Sequence, residues 1–173
     1  MPYALRLAKV LSRDFELHCM VSEAAKKVLR LESDLTADHF KSLATQVYSE
    51  DRIEAGPASG SWRHDGMIIC PCSMATLAGV AHGLGNTLIL RAADVALKEG
   101  RKLILVPRET PLSLIHLKNM VAAREAGAII LPACPGFYHR PADLTGLVDH
   151  VVARICDQLG IAHGLVPAWT DPS

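Results

Sequence analysis

The stretch GMIICPCSMATL, which runs from Gly66 to Leu77, decides the fold of this chain. Its first half is a run of apolar residues, which is typical of a strand buried in a parallel sheet. Pro71 interrupts the run, and Ser73 then precedes a segment of small residues that favours a helix capped by the serine hydroxyl. The pattern therefore predicts a buried strand, a tight turn and a helix start. In open parallel sheets, such a turn at the carboxyl end of a strand is where anionic ligands bind.

The rest of the chain alternates between helix and strand patterns in the same way. This alternation predicts a single α/β domain over residues 1–173, in which helices cover both faces of a parallel sheet. A doubly wound sheet normally opens with a strand, whereas this sequence opens inside a helical pattern. The predicted helices are 2–11, 23–31, 37–44, a segment after 73, 86–99, 112–125 and 142–159; the predicted strands are 16–21, 66–70, 102–106 and 128–131; and 48–64 is predicted to be an irregular loop.

The composition argues against several classes of partner. Apolar residues make up 50% of the 173 residues, which is enough for one domain with a core. Lys and Arg together number 18, as do Asp and Glu, so a formal net charge of zero gives no electrostatic reason to bind nucleic acid or a membrane surface. No apolar run approaches the roughly 20 residues that span a bilayer, and the N-terminus lacks the pattern of a signal peptide. We therefore expect a cytoplasmic protein that binds neither nucleic acid nor membrane.

The five cysteines predict neither a disulfide framework nor a metal site. An odd number of cysteines scattered through apolar segments suits buried thiols in a reducing compartment. Cys70 and Cys72 have the spacing C-x-C rather than the C-x-x-C of zinc sites, and no second pair follows. We therefore expect small buried thiols and no bound metal.

Two segments that follow predicted strands carry candidate site residues. Arg108 and Glu109 follow the apolar strand at 102–106, and Thr110 and Pro111 are predicted to cap and open the next helix. The alternative is that both charged residues are solvated turn residues, but the carboxyl end of a strand favours a functional role. Tyr138 follows the strand at 128–131 in a loop bounded by prolines, where packing and ligand binding are equally plausible for it.

Cations on two predicted helices complete the set of candidates. Arg91 and Lys98 lie two turns apart on one helix face, a pattern usually explained by solvent or by a subunit contact. Arg154 lies outside the apolar stripe of the last helix, as an ordinary surface arginine would. The chain contains no phosphate loop, nucleophile elbow or zinc-protease motif. The residues alone thus predict an α/β domain that binds a phosphate-bearing ligand through arginines and the helix starts at Ser22, Ser73 and Thr110.

A series of motifs that covers the chain from end to end resembles the flavin prenyltransferase (UbiX) family. The resemblance implies a flavodoxin-like three-layer fold, FMN binding and a large homo-oligomer, by analogy a dodecamer. It also implies metal-independent transfer of a dimethylallyl group from dimethylallyl monophosphate to N5 and C6 of reduced FMN. The product would serve a UbiD-type decarboxylase, in ubiquinone synthesis or aromatic acid breakdown. The matching motifs are VSEAA (21–25), LESD (31–34), PASGS (57–61), CPCSMATL (70–77), RAADVALKE (91–99), PRETPL (107–112) and PGFYHRP (135–141).

The resemblance assigns a role to each candidate residue. Glu109 would donate a proton to the departing phosphate, and Glu32 would assist near the flavin. Fixed cations and a phenol suit a phosphate dianion that leaves without a metal. FMN would contact Ser22, Ser73, Met74, Ala75, Thr76 and Arg108, whereas the prenyl phosphate would contact Tyr138, Arg154, Lys98 and Arg108, with Arg91 nearby.

One departure from the family and two other functions stay open at this point. Family members open with a strand and a glycine-rich G-A-S-G-A turn, whereas residues 2–7 match the segment just after that turn, so weak FMN binding is expected of the sequence as given. An FMN-dependent cysteine decarboxylase of the same superfamily is one alternative, although this chain has PASGSW where those enzymes usually have PASANT. A non-catalytic flavin-binding protein is the other.

Overall fold

The computed structural model describes residues 1–167, which form an α/β fold with helices on both sides of parallel strands. Two short 3-10 turns, Ala37–Ser42 and Gly56–Ala58, lie between the larger elements. The order of elements confirms the predicted alternation of strands and helices. In chain order they are α1 (Pro2–Leu11), β1 (His18–Val21), α2 (Glu23–Glu32), β2 (Gln46–Ser49), β3 (Met67–Cys72), α3 (Met74–Ala81), α4 (Leu88–Lys98), β4 (Leu103–Pro107), α5 (Leu114–Glu125), β5 (Ile129–Ile130) and α6 (Leu144–Leu159).

Strand β4 lies at the centre of the core. Successive side chains of a strand point to opposite faces, and both faces of β4 are covered. Leu103 and Leu105 pack with apolar residues of α3, α4 and α5, whereas Ile104 and Val106 pack with residues of α1 and α6. All four side chains are at most 1% exposed, which explains why this strand reads as an unbroken apolar run.

The parallel strands form two sheets rather than the single sheet that the sequence predicted. One sheet has the order β3-β4-β5 and the other pairs β1 with β2. Within residues 1–167, no ladder of hydrogen bonds joins β1 to β3. Strand β3 also contains a register shift between Ile69 and Cys72, next to the cis peptide bond before Pro71. The edges of β1 and β3 therefore border a cleft.

Three of the predicted helix starts can be compared with the structure. Ser22 and Ser73 cap α2 and α3 as predicted, because each hydroxyl accepts a hydrogen bond from the backbone N–H three residues later. The prediction for Thr110 is wrong, since α5 begins at Leu114 and is capped by Ser113. The Ser113 hydroxyl accepts from the His116 N–H at 3.2 Å, and His116 Nδ1 accepts from the Ser113 N–H at 3.2 Å. This reciprocal pair fixes the helix start beyond Thr110 and Pro111.

The segment predicted as an irregular loop at 48–64 includes the end of a strand. Strand β2 pairs in parallel with β1 along its whole length, from His18 opposite Gln46 to Val21 opposite Ser49. It is short, and its burial pattern is exposed at both ends and half-buried between them. An edge strand of this kind needs no run of apolar residues, so its sequence carries little signal.

Candidate functional site

A cleft lies between the two sheets. Its volume is about 1470 Å³, and every residue of β1 and β3 contributes to its lining. Helix α1 lines it as well, through Ala4, Leu7, Ala8 and Leu11. Ligand pockets usually measure about 300–1,000 Å³, so the cleft exceeds what one flavin-sized ligand requires.

Two capped helix starts lie at the carboxyl ends of the strands that border the cleft. Ser22 follows β1, and its Oγ accepts from the Ala25 N–H at 3.1 Å. Ser73 follows β3, and its Oγ accepts from the Thr76 N–H at 3.1 Å while lying 3.0 Å from Thr76 Oγ1. Ser22, Ser73, Ala75 and Thr76 all line the cleft. Of the predicted FMN contacts, Met74 is absent from this lining.

Arg108 and Glu32, which are distant in sequence, form an ion pair at this end of the strands. Arg108 Nη2 donates to Glu32 Oε1 at 3.3 Å, and the Met1 ammonium donates to the second oxygen of Glu32. Both cations help to lower the pKa of the Glu32 carboxyl, and the hydrogen bond from the N-terminus contributes most. Arg108 lines the cleft, and about half of its side chain is exposed to solvent. A guanidinium is thus available at the cleft beside an ionised carboxylate.

Glu109 also lines the cleft, directly after Arg108 at the end of β4. Its Oε1 accepts from the Thr110 N–H at 3.1 Å, which ties the carboxyl to its own turn. Strands β3 and β4 are parallel neighbours, so Ser73 and Glu109 belong to the same edge of the sheet. A carboxyl at this edge is suited to exchanging a proton with a ligand in the cleft.

Tyr138 lies beside His150 of α6, a residue that the sequence patterns did not single out. His150 lies one helical turn before Arg154 on α6, and its Nε2 is 2.9 Å from the Tyr138 hydroxyl. Arg154 Nη1 donates to Asp157 Oδ2 at 2.6 Å and remains about half exposed. The only feature of the sequence that relates His150 to a predicted site residue is its i, i+4 spacing from Arg154. That spacing does not indicate the contact with Tyr138.

Comparison with known proteins decides the family. The Flavoprotein family model matches residues 1–159. The flavin prenyltransferase UbiX of Thermoplasma acidophilum is 46% identical over 97% of this chain and 93% of its own length. That of Pseudomonas aeruginosa is also 46% identical, over 96% of this chain and 87% of its own. This chain belongs to the UbiX flavin prenyltransferase family. The resemblance found in the motifs is therefore confirmed.

Solved structures of UbiX-like proteins confirm the flavodoxin-like fold. The dodecameric FMN-dependent UbiX-like decarboxylase from Escherichia coli O157:H7 is 44% identical, covers 98% of this chain and 93% of its own, and superposes with a TM-score of 0.95. AnUbiX (PadA1), in complex with FMN and dimethylallyl pyrophosphate, is 39% identical over 99% of this chain and 92% of its own, with a TM-score of 0.96. The cysteine decarboxylase TvaF is 17% identical with a TM-score of 0.59, a similarity that shows the fold alone.

The residues around the cleft of this UbiX-family chain fit FMN chemically. Its lining combines the apolar edges of β1 and β3 with the hydroxyls of Ser22, Ser73 and Thr76 and the guanidinium of Arg108. Apolar walls suit an isoalloxazine ring, and a few convergent hydroxyls and cations suit its carbonyl oxygens and phosphate. The cleft therefore offers apolar walls, hydroxyls and a guanidinium that suit a flavin mononucleotide.

Tyr138 and Arg154 do not belong to the cleft lining of this UbiX-family member, and the structure does not bring Arg91 and Lys98 to the cleft either. Both lie on α4, and neither belongs to the cleft lining that contains Arg108 and Glu109. Lys98 Nζ is 3.8 Å from Glu99 Oε1, and more than half of the Lys98 side chain is exposed. The face of α4 that carries them is therefore open in the single chain.

Of the five cysteines of this UbiX-family chain, Cys72 and Cys156 are buried as predicted, whereas Cys19 and Cys70 are only half-buried. Burial raises the pKa of both Cys70 and Cys72 to about 12, so both remain protonated thiols at neutral pH. Cys134 is exposed, which contradicts the prediction of buried thiols there. Residues 1–167 contain no group of three or more His, Cys, Asp or Glu side chains that could hold a metal ion. Over the same residues, no helix has the length and apolar character needed to cross a bilayer.

Proposed function

We propose that this chain is a flavin prenyltransferase that joins the dimethylallyl group of a prenyl phosphate to reduced FMN. The observation that carries the proposal is the convergence of Ser73, Arg108 and Glu109 on one cleft at the carboxyl edge of parallel strands. The chain shares 46% identity with UbiX enzymes over nearly its whole length, so the reaction of that family is the one its site should perform.

The candidate site residues fall into two groups, one for each ligand. Ser22, Ser73, Met74, Ala75 and Thr76 would hold FMN through hydroxyls and backbone groups, with Glu32 alongside. When bound and reduced, FMN supplies the electron-rich ring that accepts the prenyl group at N5 and C6. Excluding water from that ring is the task of the apolar residues on β1 and β3.

The prenyl phosphate would be held by cations and a phenol. Arg108, Arg154 and the Tyr138 hydroxyl donate to phosphate oxygens and stabilise the charge that develops as the allylic C–O bond breaks. Glu109 gives its proton to the departing phosphate. AnUbiX (PadA1) was solved with dimethylallyl pyrophosphate, and our proposal for this chain is the monophosphate.

Arg91 and Lys98 would reach the site from a neighbouring subunit. They are exposed on α4 and lie apart from the cleft of their own chain. The UbiX-like decarboxylase from Escherichia coli, 44% identical to this chain, is a dodecamer. We therefore propose a homo-oligomer, by analogy a dodecamer, in which one subunit's α4 completes another's phosphate site.

The downstream role follows from the product. We propose that prenylated FMN made by this chain is passed to a UbiD-type decarboxylase and that both act in the cytoplasm, in ubiquinone synthesis or aromatic acid breakdown. No metal is needed for the proposed transfer, since arginines and Glu109 together neutralise and protonate the leaving phosphate.

The first prediction is that the purified chain, incubated anaerobically with reduced FMN and dimethylallyl monophosphate, yields a flavin heavier by one prenyl unit. Mass spectrometry and absorbance of the extracted flavin measure this directly. Oxidised FMN is the control, because its ring lacks the electron density to attack an allylic carbon. Bound but unmodified flavin would support a flavin-binding protein instead, and oxidative decarboxylation of a cysteine-terminated peptide would support the cysteine decarboxylase.

The second prediction concerns the cleft between β1 and β3. Its volume of about 1470 Å³ leaves room beside a flavin, and both bordering strand edges lack a ladder partner within the described residues. Fusing a family-like strand and G-A-S-G-A turn ahead of Met1 should pair these edges and add backbone donors for the FMN phosphate. We expect the Kd for FMN to fall at least about tenfold, which corresponds to ~1.4 kcal/mol. Equal and tight binding with and without the extension, measured by fluorescence titration, would contradict this prediction.

A further inference from the structure

A glutamate to which the proposed mechanism gives no role lies at the carboxyl end of β2. Glu50 directly follows this strand, just as Ser22 follows β1, and the parallel register places Val21 opposite Ser49. The two strands therefore bring Ser22 and Glu50 to the same edge of their sheet. Both residues belong to the lining of the cleft.

Two hydrogen bonds hold Glu50 in this place. Its Oε1 accepts from the backbone N–H of Glu23, the first residue of α2, at 2.8 Å. Its backbone oxygen accepts from the N–H of Leu88, the first residue of α4, at 2.7 Å. The half-buried side chain is thus fixed by the start of one helix and its main chain by the start of another. The carboxylate therefore has a defined position at the cleft.

One oxygen of the Glu50 carboxylate is available to a ligand. Within residues 1–167, Oε2 accepts no hydrogen bond, and neither oxygen pairs with a lysine or arginine. Lys26, on the first turn of α2, pairs with Glu23 instead, at 2.5 Å. An ionised carboxylate accepts hydrogen bonds and donates none. The group that suits this oxygen is therefore a ligand donor, such as a hydroxyl.

FMN has two kinds of donor, the hydroxyls of its ribityl chain and the N3–H of its ring. The position of Glu50 favours the hydroxyls. The ring requires the apolar walls that β1 and β3 provide, whereas Glu50 follows β2, the strand on the other side of β1 from the cleft. A polyol chain requires acceptors rather than apolar contacts. In the Rossmann fold, an acidic residue likewise accepts a hydrogen bond from a ribose hydroxyl.

We propose that Glu50 binds FMN by accepting a hydrogen bond from a ribityl hydroxyl. This inference rests on the proposed function, in which FMN occupies the cleft. It adds to the FMN contacts a residue that favours flavins with a polyol chain over the bare ring. Glu50 takes no part in the prenyl transfer itself.

The test is fluorescence titration of the full chain with FMN, riboflavin and lumiflavin, the last of which has the flavin ring and no ribityl chain. Glu50→Ala removes the acceptor. We expect its Kd for FMN and for riboflavin to rise about 10- to 100-fold, the effect of one lost hydrogen bond to a charged group. Its Kd for lumiflavin should not change.

Glu50→Gln separates ligand binding from support of α2. Glutamine keeps an oxygen that can accept from the Glu23 N–H, so the helix start should persist, but it lacks the charge. We expect the Kd for riboflavin to rise about 2- to 10-fold. Asp51→Ala is the matched control, because it removes the adjacent acidic side chain, which is exposed and lies outside the cleft lining. It should leave all three affinities unchanged.

Three results would overturn the proposal. Equal losses of riboflavin and lumiflavin affinity in Glu50→Ala would assign Glu50 to the ring or to the stability of α2. Tighter FMN binding by Glu50→Ala would show that the carboxylate only repels the phosphate. No binding of riboflavin to the wild-type chain would also contradict it. Failure of the proposed function would look different: the flavins would bind with the expected pattern, and the wild-type chain would yield no prenylated flavin.

Discussion

Replacing Glu109 by glutamine is expected to slow prenyl transfer by roughly 10²- to 10⁴-fold, the usual contribution of a general acid. Glutamine has nearly the shape of glutamate and keeps the oxygen that accepts from the Thr110 N–H at 3.1 Å. The turn after β4 should therefore persist, and Arg108 should remain at the cleft. The variant lacks only the proton that the departing phosphate needs.

Two measurements on the Glu109→Gln variant test this expectation. Single-turnover formation of prenylated flavin reports the chemical step, and fluorescence titration reports the Kd for FMN, which should not change. Glu125→Gln is the matched control, because Glu125 is an exposed residue at the end of α5 and lies outside the cleft. An unchanged transfer rate would remove Glu109 from the mechanism, and loss of FMN binding would assign it to the flavin site instead.

The features that the sequence predicted well are those determined by short-range patterns. The apolar run of β4 predicts its burial on two faces, because four successive large apolar side chains are typical of a strand covered on both sides. Ser22 and Ser73 cap helices because a hydroxyl followed by free N–H groups is a local arrangement. The roles of individual site residues were predicted from the resemblance to the UbiX family, because a pattern of apolar residues gives no information about chemistry.

The features that the sequence did not predict depend on contacts between distant residues. Thr110 and Ser113 are both acceptable caps, and only the reciprocal bond between Ser113 and His116 selects the second. His150 and Tyr138 meet because α6 returns beside the loop after β5. The division into two sheets could not be read from the strands either, since a ladder depends on which edges come within hydrogen-bonding distance.

We propose that Arg108, which lines the cleft, contacts both ligands, and its replacement should have the second largest effect. Arg108→Ala removes a guanidinium from the cleft, where a charge-assisted hydrogen bond contributes about 1.5–3 kcal/mol. We expect kcat/KM for dimethylallyl monophosphate to fall about 10- to 150-fold and the Kd for FMN to rise. Arg108→Lys should recover part of the loss, because lysine keeps the charge but lacks the bidentate geometry.

A competing explanation is that Arg108 serves only to hold Glu32 through their ion pair. The size of the effects of Arg108→Ala on stability and on ligand affinity distinguishes this role from ligand binding. Arg108 is half exposed, and such pairs contribute about 0–1 kcal/mol to stability. If the arginine served only to hold Glu32, Arg108→Ala would change stability slightly and ligand affinity little. Lys41→Ala is the matched control, since it breaks an exposed pair with Asp38 at 2.6 Å outside the cleft. A large loss of affinity for Arg108→Ala at unchanged thermal stability, with no loss for Lys41→Ala, would therefore assign Arg108 to the ligands.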